Sequence, residues 1–153
     1  MKRFEGRQQR ALRAWLELVR AARAFEARID ARMLATFGQH FTRFDLMSQL
    51  YRTPDHRLSI TELGSRLLSP SNNISRLLDR MQADGLVARA PNTSDRRRLD
   101  VVLTTDGAAT FERMAGAHAD WVTDALAAFD DATLERITGD LRALSAPAGT
   151  TAK

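Results

Sequence analysis

Ser71, Asn72, Asn73, Ser75, Arg76 and Arg80 bring hydroxyl, carboxamide and guanidinium groups together in one short stretch, and Arg96, Arg97 and Arg98 follow as a run. These side chains hydrogen-bond base edges and phosphates: Asn pairs both ways with adenine, and Arg with guanine or phosphate. The local charge agrees. Between residues 76 and 98 six arginines stand against three aspartates, a surplus of +3 in a chain whose formal total is +4. The chemistry on offer is contact with a polyanion. A single polar helix face is ordinarily just solvated surface, so the elements that carry these residues decide the reading.

Ser59-x-x-Glu62 is a capping box and starts a short helix near Ile60, with Leu63, Leu67 and Leu68 as its apolar face. Ser69-Pro70-Ser71-Asn72-Asn73 breaks that helix and turns the chain. Ile74, Leu77, Leu78 and Met81 then restart the three-four period, predicting a second helix over 72–83 that Gly85 ends. Leu86 to Arg89 and Leu99 to Leu103 read as two strands of a hairpin whose tip is Pro91 to Arg98. Two helices and a basic-tipped hairpin, in that order, suggest a winged helix-turn-helix over residues 58–104. The polar face of the second helix and the arginines of the wing then act together on double-stranded DNA.

Long helices flank this stretch. Apolar residues from Leu12 to Phe37 recur at helical spacing without an interior Gly or Pro, and Gly38 closes the run. Thr42-x-x-Asp45 reads as a cap for the next helix, which carries Phe44, Met47, Leu50 and Tyr51 inward and ends near Arg52. After Thr104 a helix of about six turns carries Phe111, Met114, His118 and Trp121. Asp130 and Asp131 cap a last helix with Leu134, Ile137, Leu141 and Leu144. The expected fold is mainly α with a small β-hairpin wing: an N-terminal dimerisation helix (1–38), a winged helix-turn-helix domain (39–104), C-terminal dimerisation helices (105–145) and a disordered tail (146–153). Apolar faces this wide on both terminal helices call for a partner, and a two-fold homodimer supplies it. Residues 1–28 hold eight basic and three acidic side chains, whereas 104–146 hold eight acidic and three basic, so the C-terminal region is expected to face away from DNA.

Composition narrows the remaining possibilities. The chain has no cysteine, which excludes disulfides, thiolate nucleophiles and cysteine metal sites. His40, His56 and His118 lack ligand spacing, so no metal or other cofactor is expected. No nucleophile with its base, Gly-x-Gly-x-x-Gly or Walker motif is present, and the chain does not read as an enzyme. No apolar run matches a membrane span and the start MKRFEGRQQR lacks a signal-peptide core, so a cytoplasmic protein is expected. A winged helix that docks a protein partner without specific DNA binding is the alternative from another class.

The run from Ser75 to Arg89, SRLLDRMQADGLVAR, followed by Asp95-Arg96-Arg97 and Leu103-Thr104-Thr105-Asp106-Gly107, closely resembles the MarR family of bacterial transcription regulators. The resemblance implies a ligand-responsive repressor that binds a pseudo-palindromic operator as a homodimer through its first and last helices. It implies a wing in which Asp95 orients an arginine. It also implies a cleft for a small aromatic or phenolic anion between the dimer helices and the winged domain. Trp15, Phe37, His40, Phe41, Arg43, Phe44 and Asp45 are the residues here that would line such a cleft, an apolar slot with a cation at one end.

Overall fold

A computed structural model describes residues 6–68, 73–92, 94–95 and 98–146. They belong to two compact units, one ending at His118 and the other beginning at Ala119.

The first unit opens with α1 (Arg7–Phe37), 31 residues that end where Gly38 turns left-handed at φ 64° and gives its amide to the Leu34 carbonyl. Ile29 and Met33 of α1 are buried, whereas Leu12, Trp15, Leu16 and Leu18 are exposed. The next helix, α2 (Phe41–Tyr51), is the centre of the core: Phe44, Leu46, Met47 and Leu50 are all buried. Its start differs from the expected Thr42-x-x-Asp45 cap. The helix begins one residue before Thr42, and the cap comes from α1, where Asp30 Oδ1 accepts the Phe41 amide at 2.7 Å. Asp45 has instead turned inward and is 2% exposed. It accepts the Leu68 amide at 2.6 Å and the Gln49 side-chain amide at 3.0 Å.

A 3-10 turn at Pro54–His56 leads into β1 (Arg57–Ser59), and Ser59 then caps α3 (Ile60–Arg66). Both halves of the capping box are present: the Ser59 hydroxyl accepts the Glu62 amide, and Glu62 accepts the Ser59 amide. The hydrogen bond from the Ser59 hydroxyl is the main cause holding the Glu62 carboxyl below its usual range. Leu63 and Leu67 are buried as the spacing predicts, but Leu68 is 75% exposed, because the chain leaves the helix at Leu67 and the period no longer applies.

α4 (Ile74–Ala83) starts at Asn73, whose side chain accepts the Arg76 amide, and buries Leu78 and Met81. Gly85 reverses the chain at φ 73°. β2 (Val87–Pro91) and β3 (Leu99–Leu103) pair antiparallel, and β1 pairs with the other edge of β3, giving the order β1-β3-β2. The expected two-stranded hairpin thus has a third strand. Leu58 lies opposite Val101, both buried, and a three-residue strand is too short to show alternation in sequence.

α5 (Thr105–Leu126) is fastened at its first turn. The Thr104 hydroxyl accepts the Gly107 amide at 2.9 Å and donates to the Gly85 carbonyl at 2.6 Å, while the Thr104 amide donates to Leu86. Further along, Phe111 stacks on Phe44 at 5.3 Å and His118 lies 4.8 Å from the same ring. Burial pushes the His118 pKa below its ordinary 6.5. The unfolded chain therefore takes the proton first, and this contribution to stability is full above about 6.5 and lost as pH falls from there through the folded pKa. The melting temperature is expected to drop between pH 7 and pH 5 with a slope that His118→Phe reduces. An unaltered slope in that variant would sink this account.

In the second unit Asp130 caps α6 (Asp131–Ser145), accepting the Thr133 amide at 2.9 Å, and hydrogen bonding from the Thr133 hydroxyl, then from that amide, holds its carboxyl below the usual range. Phe129, Ile137, Leu141 and Leu144 are exposed. Residues 147–153 of the expected tail lie outside the described residues.

Candidate nucleic-acid interface

With Leu78 and Met81 buried, the remaining face of α4 is offered outward: Asn73, Ser75, Arg76, Asp79 and Arg80 are all exposed. This face has two flanks. Asn73, Arg76, Leu77 and Arg80 line a groove of about 740 Å³, whose other wall is Leu34, Gly38, Gln39, His40, Thr42 and Arg43. On the other flank Arg89 of β2 reaches Asp79 at 2.6 Å and Gln82 at 3.1 Å, so part of the positive charge counted in this stretch is spent within the protein.

The base of the wing is braced from both sides. Asn92 Oδ1 accepts the amides of Ser94 and Asp95, and its Nδ2 donates to Asp100, which is 2% exposed. Arg57 of β1 adds a 3.5 Å ion pair to Asp100 and a hydrogen bond to the Pro91 carbonyl. The Arg98 amide donates to the Asp95 carbonyl, and the Arg98 carbonyl accepts from the Asn92 amide, so the backbone of Arg98 is held while its side chain is exposed.

A second, smaller groove of about 340 Å³ lies between Arg23, Glu26, Ala27 and Asp30 of α1 and His40, Phe41 and Thr42. His40 borders both grooves, and its Nδ1 lies 3.1 Å from Asp30. Arg43 is less free than a waiting ligand contact, donating to Asp84 at 2.6 Å and Gln39 at 2.9 Å.

Residues 38–98 match a family model described as MarR family. The HTH-type transcriptional repressor YetL of Bacillus subtilis is 32% identical over 102 residues, 65% of this chain and 61% of that protein. A MarR family transcriptional regulator from Silicibacter pomeroyi is 28% identical, with a TM-score of 0.77 over 92% of this chain and 97% of that one. The chain is similar to the MarR family, in sequence over residues 38–98 and in fold over most of its length. A further MarR structure, from Streptomyces coelicolor and solved in complex with DNA, shares the fold at a TM-score of 0.79 and 24% identity, covering 100% of this chain and 97% of that one. The chain spans less than two thirds of the curated relatives it matches first. These MarR relatives are named as transcription regulators, not enzymes.

Within this chain the structure brings Asn73, Ser75, Arg76 and Arg80 onto one helix face and places Asp95 and Arg98 in the wing. Ser71, Asn72, Arg96 and Arg97 lie outside the described residues. Of the candidate ligand residues, His40 and Arg43 meet in the larger groove. Trp15 is 57% exposed on α1, while Phe44 and Asp45 are core residues, and none of these three lines either groove. Sequence reasoning missed Asp84 as the partner of Arg43, Arg89 as the partner of Asp79, and the Arg57–Asn92–Asp100 brace. These pairs are separated by 41 and 10 positions, or join different strands, so no local spacing announces them.

Proposed function

We propose that the protein is a sequence-specific, double-stranded DNA-binding transcription regulator that acts as a homodimer on a pseudo-palindromic operator, most simply as a repressor. The observation that carries this reading is the exposed Asn73, Ser75, Arg76 and Arg80 face on a helix whose other face is buried, beside a braced wing bearing Arg98. An α-helix of this kind fits the major groove, and arginines at a wing tip suit the negative potential of the minor groove. The DNA complex of the Streptomyces coelicolor relative supports the same use of the fold. Ser71, Asn72, Arg96 and Arg97 join the proposed contact set from their sequence positions, and Asp95 orients the wing.

The homodimer accounts for exposed apolar side chains on both terminal helices: Leu12, Trp15, Leu16 and Leu18 on α1, and Ile137, Leu141 and Leu144 on α6. In this division 1–38 and 105–145 serve dimerisation and 39–104 serves DNA. Two recognition helices related by a two-fold axis enter successive major grooves about 34 Å apart. The larger groove, with Leu34 and Leu77 among its apolar walls and Arg76 and Arg80 as cations, suits a small aromatic or phenolic anion, and an occupant there would compete with DNA for α4.

The test is binding to duplex from beside the protein's own gene, titrated with salt and with unrelated competitor. Binding that resists competitor and falls steeply with salt supports the regulator, whereas binding no tighter than to competitor favours a protein-docking module. Arg98→Ala is expected to weaken binding to all duplexes alike and to flatten the salt dependence by about one unit of slope. An unchanged salt titration would remove Arg98 from the interface.

A further inference from the structure

Arg43 stands in the first turn of α2, and Asp84 is the C-cap of α4. Their side chains meet at 2.6 Å across 41 residues of sequence, and Arg43 is further held by Gln39 at 2.9 Å. Each charge is at the wrong end of its own helix. A helix N-terminus favours an acid and a C-terminus a base, so the dipoles of α2 and α4 oppose Arg43 and Asp84 respectively. A pair selected only to stabilise these two helices would have the opposite signs. The Arg43 side chain is 17% and the Asp84 side chain 51% exposed, so solvent reaches the pair from the Asp84 side and screens it. What the pair does is tie the end of α4 to the start of α2, and that start is itself anchored to α1 by Asp30 and the Phe41 amide. On the far side of α4, Arg89 ties Asp79 and Gln82 to β2.

We infer that Arg43 is a positioning residue for DNA recognition: through Asp84 it sets the angle at which α4 meets the duplex, and it touches no phosphate itself. The inference rests on the DNA-binding reading above. It also explains why Arg43 borders the groove beside Arg76 and Arg80 and yet spends its charge on Asp84.

The experiment uses the full chain and a duplex enriched by the wild-type protein from a random-sequence library, with an unrelated duplex of equal length for comparison. Arg43→Gln and Asp84→Asn are each expected to lower affinity for the enriched duplex about tenfold, to change affinity for the unrelated duplex less than about twofold, and to leave the salt slope intact. The double variant should lose no more than either single, since both remove one link. Arg43→Glu with Asp84→Arg restores a link with each charge at its favoured helix end, and should regain the discrimination while melting no lower than wild type. Because Asp84 is half exposed, Asp84→Asn tests the link even if Arg43→Gln folds poorly. Losses that add in the double variant, equal losses on both duplexes, or a salt slope reduced by about one in Arg43→Gln would each overturn the inference. A wild-type chain that enriches no duplex would overturn the DNA-binding reading itself, and this inference with it.

Discussion

Gly107→Ala is expected to lower stability by about 3 kcal/mol or more, with the melting temperature as the measurement. The substitution improves helix propensity, worth up to about 1 kcal/mol within a helix such as α5. That gain loses to a collision. A Cβ at Gly107 would overlap the Leu86 carbonyl oxygen and approach Leu103 Cδ1 to 2.8 Å. The carbonyl has no freedom to retreat, because it accepts from the Thr104 amide at 3.1 Å and lies 3.1 Å from the Thr104 hydroxyl that caps α5. Gly64 supplies the contrast: among the described residues its Cβ would meet only Ile74 Cδ1, at an ordinary 3.6 Å, and Gly64→Ala should be neutral or stabilising by up to about 1 kcal/mol. If the two variants melted alike, close approach would not be the reason for glycine at position 107.

Asp45→Ala is the second large effect, expected to cost about 2–3 kcal/mol. Its carboxylate is the acceptor for the Leu68 amide, just past the end of α3, and for Gln49 on its own helix. Truncation leaves a backbone donor without its partner, and a part-buried donor left unmatched costs more than the bond itself contributed. Asp45→Asn keeps an acceptor oxygen for Leu68, and the Gln49 amide can turn to offer its own oxygen, so about 1 kcal/mol is expected there. Urea denaturation should rank wild type, Asn and Ala in that order. Equal losses in Asn and Ala would place the effect in the charge rather than in the satisfied amide.

Both positions illustrate what the sequence discloses. The Ser59-x-x-Glu62 box, the left-handed Gly85 and the apolar period of α4 act between neighbours in the chain, so each was legible and each has the expected place. The Thr42-x-x-Asp45 pattern was misleading for the same reason. It has the residue types of a local cap, but an acid eleven positions earlier, Asp30, holds the Phe41 amide, which frees Asp45 to serve a donor 23 positions later. Leu68 kept step with an apolar stripe that the chain had already left. Within the candidate site, the residues offered outward on α4 were readable because amphipathic spacing names the exposed face once the buried one is known. The links that orient α4, Arg43 to Asp84 and Arg89 to Asp79, are long-range contacts between side chains of ordinary surface type, and nothing in their neighbourhoods distinguishes them from solvated charges.

Ser59 pairs with Asp100 in the sheet and, as the N-cap, is also the first residue of the turn that begins α3. One residue thus belongs to two elements with no connecting loop between them. A wing pressed toward a minor groove through β3 would carry the start of α3 with it, because there is no slack at that joint to absorb the displacement. The wing and the helix-turn-helix are in this sense a single lever arm with its fulcrum at a serine.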